Sequence, residues 1–171
     1  MNTLPVGLVG VGLMGHGIAL NIARRGYALT VLEHPGNQPL DELRALGVDT
    51  AESVQALVRR VKVLILCVTG SPEVEAVLLG EQGALAALRP GTVVIDCSTA
   101  IPVSTEAVAR AVAQAGGRFL DAPMTRTPRE AAEGRLNLLV GGEADLLDAV
   151  QPVLRCFAEN ITHVGPVGAG H

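Results

Sequence analysis

Three glycines, at positions 10, 12 and 15, govern the reading of this chain. Before them runs a short apolar stretch, Leu4-Pro5-Val6-Gly7-Leu8-Val9, which reads as a buried strand. After them comes an apolar-periodic segment through Ile18, Ala19, Ile22 and Ala23, ended by Gly26. Tyr27 to Leu32 reads as a second strand and closes on Glu33, 23 positions after the first glycine. The glycines alone could be an ordinary tight turn. Set between a strand and a helix, with a terminal acid, G-x-G-x-x-G is the pattern of a dinucleotide-binding unit.

Each position has a physical task in that reading. Gly10 permits the tight turn out of the first strand, and Gly12 lets the backbone approach a pyrophosphate with no side chain between. Gly15 lets the helix pack closely on the strand. Free N–H groups around Leu13 and Met14 then face the pyrophosphate, with the helix dipole behind them. Glu33 would accept hydrogen bonds from the adenosine ribose, or else is an exposed acid at a strand end. With that carboxylate where a 2′-phosphate would go, and no fixed cation at His34 or Pro35, NAD is expected over NADP.

Composition narrows the partners. A chain of 171 residues fits one domain, long enough to bury roughly 70% of its unfolded surface. Aromatic residues make up only 2%, so the core must be aliphatic. A net charge of −4 without a basic run argues against nucleic acid or an anionic membrane as partner. No apolar stretch reaches the ~18 residues of a membrane span. Cys67, Cys97 and Cys156 lie in apolar surroundings and read as buried, reduced thiols, which suits a cytoplasmic protein. No residues are assigned to a metal.

Further along, Pro39 to Leu46 reads as a helix ended by Gly47, and Val48 to Ala51 as a minor strand. Ser53 caps a helix to about Arg59, and Val61 to Val68 is a strand buried on both faces. Ser71 is expected to cap a helix with Pro72 in its first position. Thr92 to Cys97, Arg118 to Asp121, Leu136 to Val140 and Ile161 to Val164 read as strands. Pro102 to Ala115 and Glu143 to Phe157 read as helices, the second kinked or split at Pro152. Strands alternating with helices imply an open, mostly parallel sheet wound on both faces. Val68-Thr69, Ser98-Thr99 and Asp121 all follow strand C-termini, the edge where such sheets bind ligands; they could equally cap helices or turn loops.

Taken together these segments resemble the β-hydroxyacid dehydrogenases, the family of 3-hydroxyisobutyrate dehydrogenase, tartronate semialdehyde reductase and sulfolactaldehyde reductase. The resemblance rests on Gly7 to Gly15 with Ala19 and Asn21, Asp96-Cys97-Ser98-Thr99, and Asp121-Ala122-Pro123-Met124-Thr125. Glu133-Gly134-Arg135-Leu136, Val140-Gly141-Gly142 and Gly165 to His171 extend it over the whole chain. It implies a Rossmann-like domain over residues 1–165. Residues 166–171 would begin the connection to a helical domain that completes the substrate site and a homo-oligomer. It also implies that Val68 and Thr69 flank the cofactor's ribose and pyrophosphate, that Val74 lies by the adenine, and that Thr99 sits near the nicotinamide. The family's carboxylate-binding serine and glycine are replaced by Thr125-Arg126-Thr127, where Arg126 would grip a small anionic hydroxy acid or aldehyde, or else is a surface arginine.

The family's catalytic lysine would fall three residues beyond His171, so no catalytic residue is assigned within the chain. His171 itself is expected to be a loose terminal residue. The expected function is NAD binding for hydride transfer to or from a small 3-hydroxy acid or the matching semialdehyde or aldehyde, with no turnover by this chain alone. A non-catalytic dinucleotide-sensing module and an imine-reducing relative are the alternatives. An apolar face near Val164, Pro166 and Val167 is expected to stand exposed.

Overall fold

The computed structural model describes residues 2–171, with side chains from residue 4 onward. Its elements follow the alternation read from the sequence. Strand β1 (Asn2–Val9), helix α1 (Leu13–Arg24), β2 (Tyr27–Leu32), α2 (Asp41–Ala45) and β3 (Asp49–Ala51) form the first half. Then come α3 (Val54–Val58), β4 (Val63–Leu66), α4 (Ser71–Leu79), β5 (Val93–Asp96), α5 (Pro102–Gln114) and β6 (Arg118–Asp121). The remainder is β7 (Met124–Thr125), α6 (Pro128–Glu133), β8 (Leu136–Gly141), α7 (Ala144–Leu154) and β9 (Ala158–Gly165).

Six parallel strands lie in the order β3-β2-β1-β4-β5-β6. The chain starts in the middle of the sheet and winds outward in both directions, so a crevice opens beyond the C-terminal ends of β1 and β4, where the direction reverses. Antiparallel β8 meets both β6 and β7, and β9 runs parallel along β8 as an edge strand.

Side chains alternate between two aliphatic layers. In β4, Val63 and Ile65 join the core under α1, α6 and α7, while Leu64 and Leu66 join the core under α3, α4 and α5. All four are buried, as a strand covered on both faces requires. Helix α1 crosses α6 very closely: a Cβ at Gly17 would lie 2.6 Å from the Ala131 carbonyl carbon. Asn21 seals that crossing, its amide donating to Gly17 O, Ala131 O and Ala132 O at 2.8, 2.9 and 3.1 Å.

Some expectations change. Gly70, not Ser71, precedes α4, and the Ser71 hydroxyl instead accepts from Ile101 N–H at 3.0 Å, tying α4 to the loop after β5. Pro152 does not split its helix. It falls near the end of α7, where few intrahelical bonds remain to be lost, and the helix stops at Leu154 so that β9 can begin at Ala158. Around the C-terminal segment, Val164 and Pro166 are exposed, but Val167 packs against the α3–α4–α5 core.

Candidate active site: a nucleotide cleft with an arginine in its wall

A cavity of about 690 Å³ occupies the crevice beyond β1, β4 and β5. Gly10 turns the chain into it with φ +97°, and a Cβ there would sit 2.1 Å from Cys67 O. At Gly15 a Cβ would be 1.8 Å from Gly10 O, so α1 can start this close to β1 only with glycine. Gly12 differs from both: nothing lies within 4 Å of its missing Cβ, which points into open space. No side chain caps the N-terminus of α1, so its first-turn N–H groups have no side-chain partner. Open space beside an uncapped helix start fits a pyrophosphate.

The cleft gathers most of the residues singled out in the sequence. Gly10, Gly12, Leu13, Met14, Gly15, Val68, Thr69, Thr99 and Arg126 all line it, joined by Met124, Cys67, Cys97 and Ser98. Ser98 sets the opposite wall. Its hydroxyl accepts from Val68 N–H at 3.0 Å, and its own N–H donates to Asp96 Oδ1 at 2.9 Å. A buried carboxyl thus fixes the turn that carries Val68 and Thr69. Burial, with Asp96 nearby, pushes the Cys67 thiol up to about 12, and burial pushes Cys97 up too, so both stay protonated.

Other residues fall elsewhere. Val74 does not reach the cleft: it is 2% exposed and packs with Leu78 into the core, because α4 turns Glu73, Ala76 and Val77 toward the cavity instead. Glu33 lines a shallower hollow of about 390 Å³ that shares His34 and Asn37 with the main cleft. Its carboxylate is held by Arg44 of α2 at 2.8 Å. The cation that His34 and Pro35 do not offer thus comes from Arg44, eleven residues further on. Its signal in the sequence was only a basic residue on the next helix.

At the far wall, Arg126 is the non-glycine residue with positive φ among the described residues, +86°. Its guanidinium donates to Arg135 O and Glu159 Oε2, and Arg126 beside Glu159 holds that carboxyl below the usual range. Thr125 and Thr127 point to other tasks. The Thr125 hydroxyl accepts from Asn137 Nδ2 at 3.1 Å, and Thr127 caps α6 in a reciprocal box with Glu130.

The tail is ordered rather than loose. Asp121 accepts from Gly168, Gly170 and His171 N–H at 2.8, 2.8 and 3.3 Å. The His171 ring bridges Thr105 Oγ1 at 2.7 Å and Ser98 O at 3.0 Å. Neither Asp121 nor His171 lines the cleft.

Residues 5–165 match the family described as the NAD binding domain of 6-phosphogluconate dehydrogenase. The chain belongs to that family. This NAD-binding domain is 35% identical over 167 residues to 2-hydroxy-3-oxopropionate reductase of Escherichia coli (strain K12), covering 98% of this chain and 56% of that protein. It is 36% identical over 165 residues to the NAD-dependent L-serine dehydrogenase of Pseudomonas aeruginosa, covering 96% and 55%. In structure it is similar to Mycobacterium tuberculosis 3-hydroxyisobutyrate dehydrogenase solved with L-serine, with a TM-score of 0.90 at 28% identity, covering 98% of this chain and 56% of that one. The NAD-binding domain thus spans little more than half the length of these relatives. Among its described residues no helix is long and apolar enough to cross a membrane.

Proposed function

We propose that the chain holds NAD for an oxidoreductase that moves a hydride between the cofactor and a small 3-hydroxy acid, or the matching semialdehyde or aldehyde. One observation carries this reading: a single cavity runs from the uncapped start of α1, past Val68, Thr69 and Thr99, to the arginine at 126. The glycine turn and the N–H groups of Leu13 and Met14 hold the pyrophosphate. Val68 and Thr69 flank it, Glu33 takes the adenosine ribose, and Thr99 lies near the nicotinamide. When bound, NAD supplies the ring that gives or takes the hydride. Arg126, with Thr125 and Thr127 fixing its loop, reads the substrate's carboxylate or sulfonate. The names of the relatives, a reductase of 2-hydroxy-3-oxopropionate and a dehydrogenase of L-serine, support a short anionic substrate.

No lysine reaches the cleft. Lys62, the one lysine of the sequence, stands before β4, at the opposite end of that strand from Val68. In this reading residues 1–165 form the dinucleotide domain, and 166–171 lead toward a helical domain that brings the proton donor and a homo-oligomeric interface. The three free cysteines, two of them buried, suit the cytoplasm. A second reading is a dinucleotide-sensing or interaction module without catalysis.

Calorimetry separates the two. The expected result is NAD binding without turnover by these 171 residues, and binding of a 3-hydroxy acid to the NAD-loaded chain that Arg126→Ala abolishes. NAD binding with no acid binding would favour the sensing module. No NAD binding would end both readings.

A further inference from the structure

Glu33 does not stand alone in its hollow. Its backbone N–H donates to Ala51 O at 2.9 Å, which fixes its place at the end of β2, and Arg44 reaches its carboxylate from α2. Among the described residues Arg44 pairs with Glu33, while the neighbouring Glu42 pairs with Arg24 at 2.8 Å. The loop between β2 and α2 is built rather than slack. Gln38 N–H donates to Val11 O at 2.8 Å, Asn37 Nδ2 donates to Leu32 O at 2.9 Å, and Gly36 N–H donates to His34 Nδ1 at 3.0 Å. The last bond leaves His34 Nε2 as a donor. The hollow therefore carries one anion balanced by one cation, with further donors on its rim.

We infer that Arg44 sets how strongly this site rejects a 2′-phosphorylated dinucleotide. With an unmodified ribose it neutralises and aims Glu33 at the hydroxyls; with a 2′-phosphate it leaves Glu33 and pairs with the phosphate. The inference rests on Glu33 lying at the adenosine ribose, as proposed above. The pair can exchange because both side chains are about half exposed, 53% for Arg44 and 41% for Glu33. An exposed ion pair of this kind holds by about fivefold at most. A guanidinium–phosphate pair with two parallel hydrogen bonds is stronger. Arg44 accordingly lowers the discrimination that Glu33 alone would impose, and the site takes NAD first while tolerating NADP.

The test is calorimetric titration of the whole chain with ADP, adenosine 2′,5′-bisphosphate, NAD and NADP, for wild type, Arg44→Gln, Arg44→Lys and Glu33→Gln. Arg44→Gln should weaken the bisphosphate and NADP by about tenfold, the size of one charge-assisted contact, and ADP and NAD by less than about threefold. Arg44→Lys should recover part of the loss, Glu33→Gln should tighten the bisphosphate, and the Arg44 effect should shrink with added salt. An equal change for phosphorylated and unphosphorylated ligands, or a larger loss for ADP, overturns the role of Arg44 while leaving the dinucleotide site intact. A wild type that binds none of the four overturns the dinucleotide reading and Arg44 with it.

Discussion

Asp96 and Asp121 stand opposite each other on neighbouring parallel strands, and neither side chain reaches solvent. Their surroundings divide the work between them. Asp121 accepts three backbone N–H groups from the tail, whereas Asp96 accepts one at Oδ1 and its Oδ2 has no partner among the described residues. Burial, aided by the Asp121 charge and opposed by Ser98 and His171, raises the Asp96 carboxyl above the ordinary range. Asp96 therefore keeps its proton to higher pH than an ordinary carboxyl does.

A pH dependence follows from that proton. An acid whose folded value is raised contributes stability that is complete below its unfolded value, near ~4, and is lost as pH rises through the folded value. Glu130, Glu133, Asp145 and Glu159 are shifted down, so their contribution is lost only as pH falls, below this window. Urea unfolding from pH 4 upward should show wild type losing stability relative to Asp96→Asn. Parallel curves for the two proteins would place the proton elsewhere.

Asp121→Asn should release the tail. An amide offers one acceptor where the carboxylate offers two, and turns a donor toward N–H groups that need acceptors. A buried donor left unpaired costs about 1–3 kcal/mol, and a loss of that size is expected in chemical unfolding. Hydrogen exchange should quicken at Gly168, Gly170 and His171 first. Unchanged exchange there would mean that the His171 ring holds the segment by itself.

Gly12→Ala and Gly15→Ala should part company. The added methyl at Gly12 meets no protein atom, and its φ of −80° suits any residue, so stability should hold while NAD affinity falls at least tenfold. At Gly15 the methyl strikes Gly10 O, and overpacking of this kind costs about 1–3 kcal/mol or more. Thermal melts alongside NAD titration read both effects. A destabilised Gly12→Ala that still binds NAD would reverse the assignment.

Asn21→Ala should cost about 1–3 kcal/mol, since the Ala131 carbonyl of α6 loses its donor at a part-buried site. The loss should appear as faster exchange in α6 ahead of the sheet. Uniform loosening of the whole domain would show that Asn21 serves the core rather than the helix end.

The parts that could be read from the sequence are those whose chemistry is local. The glycine turn, the run of β4 and the helix starting at Pro102 each carry their signal within a few residues. Val74 lies in the core rather than on the cleft wall, because a resemblance fixes a position in the chain but not which side of a helix turn faces the cleft. The grip of Asp121 on the tail spans 47 to 50 residues, and that of Asn21 on α6 spans 110. No short window contains both partners of such a contact. Arg44 and Glu33 are nearer in sequence, yet only the path of the loop through Gln38 and Val11 brings them together.

The crossing of α1 over α6 has a mechanical consequence. Helix α1 begins at the turn proposed to hold the pyrophosphate, and α6 begins next to Arg126. Where they touch, backbone meets backbone at Gly17, with no side chain between to flex or change rotamer. The two ends of the cleft are thus mounted on one stiff bracket. Reacting atoms must come within about 3–3.5 Å of each other. On the proposed function that gap is gauged by the main chain, so a single methyl at position 17 should spoil the alignment without touching a residue assigned to either ligand.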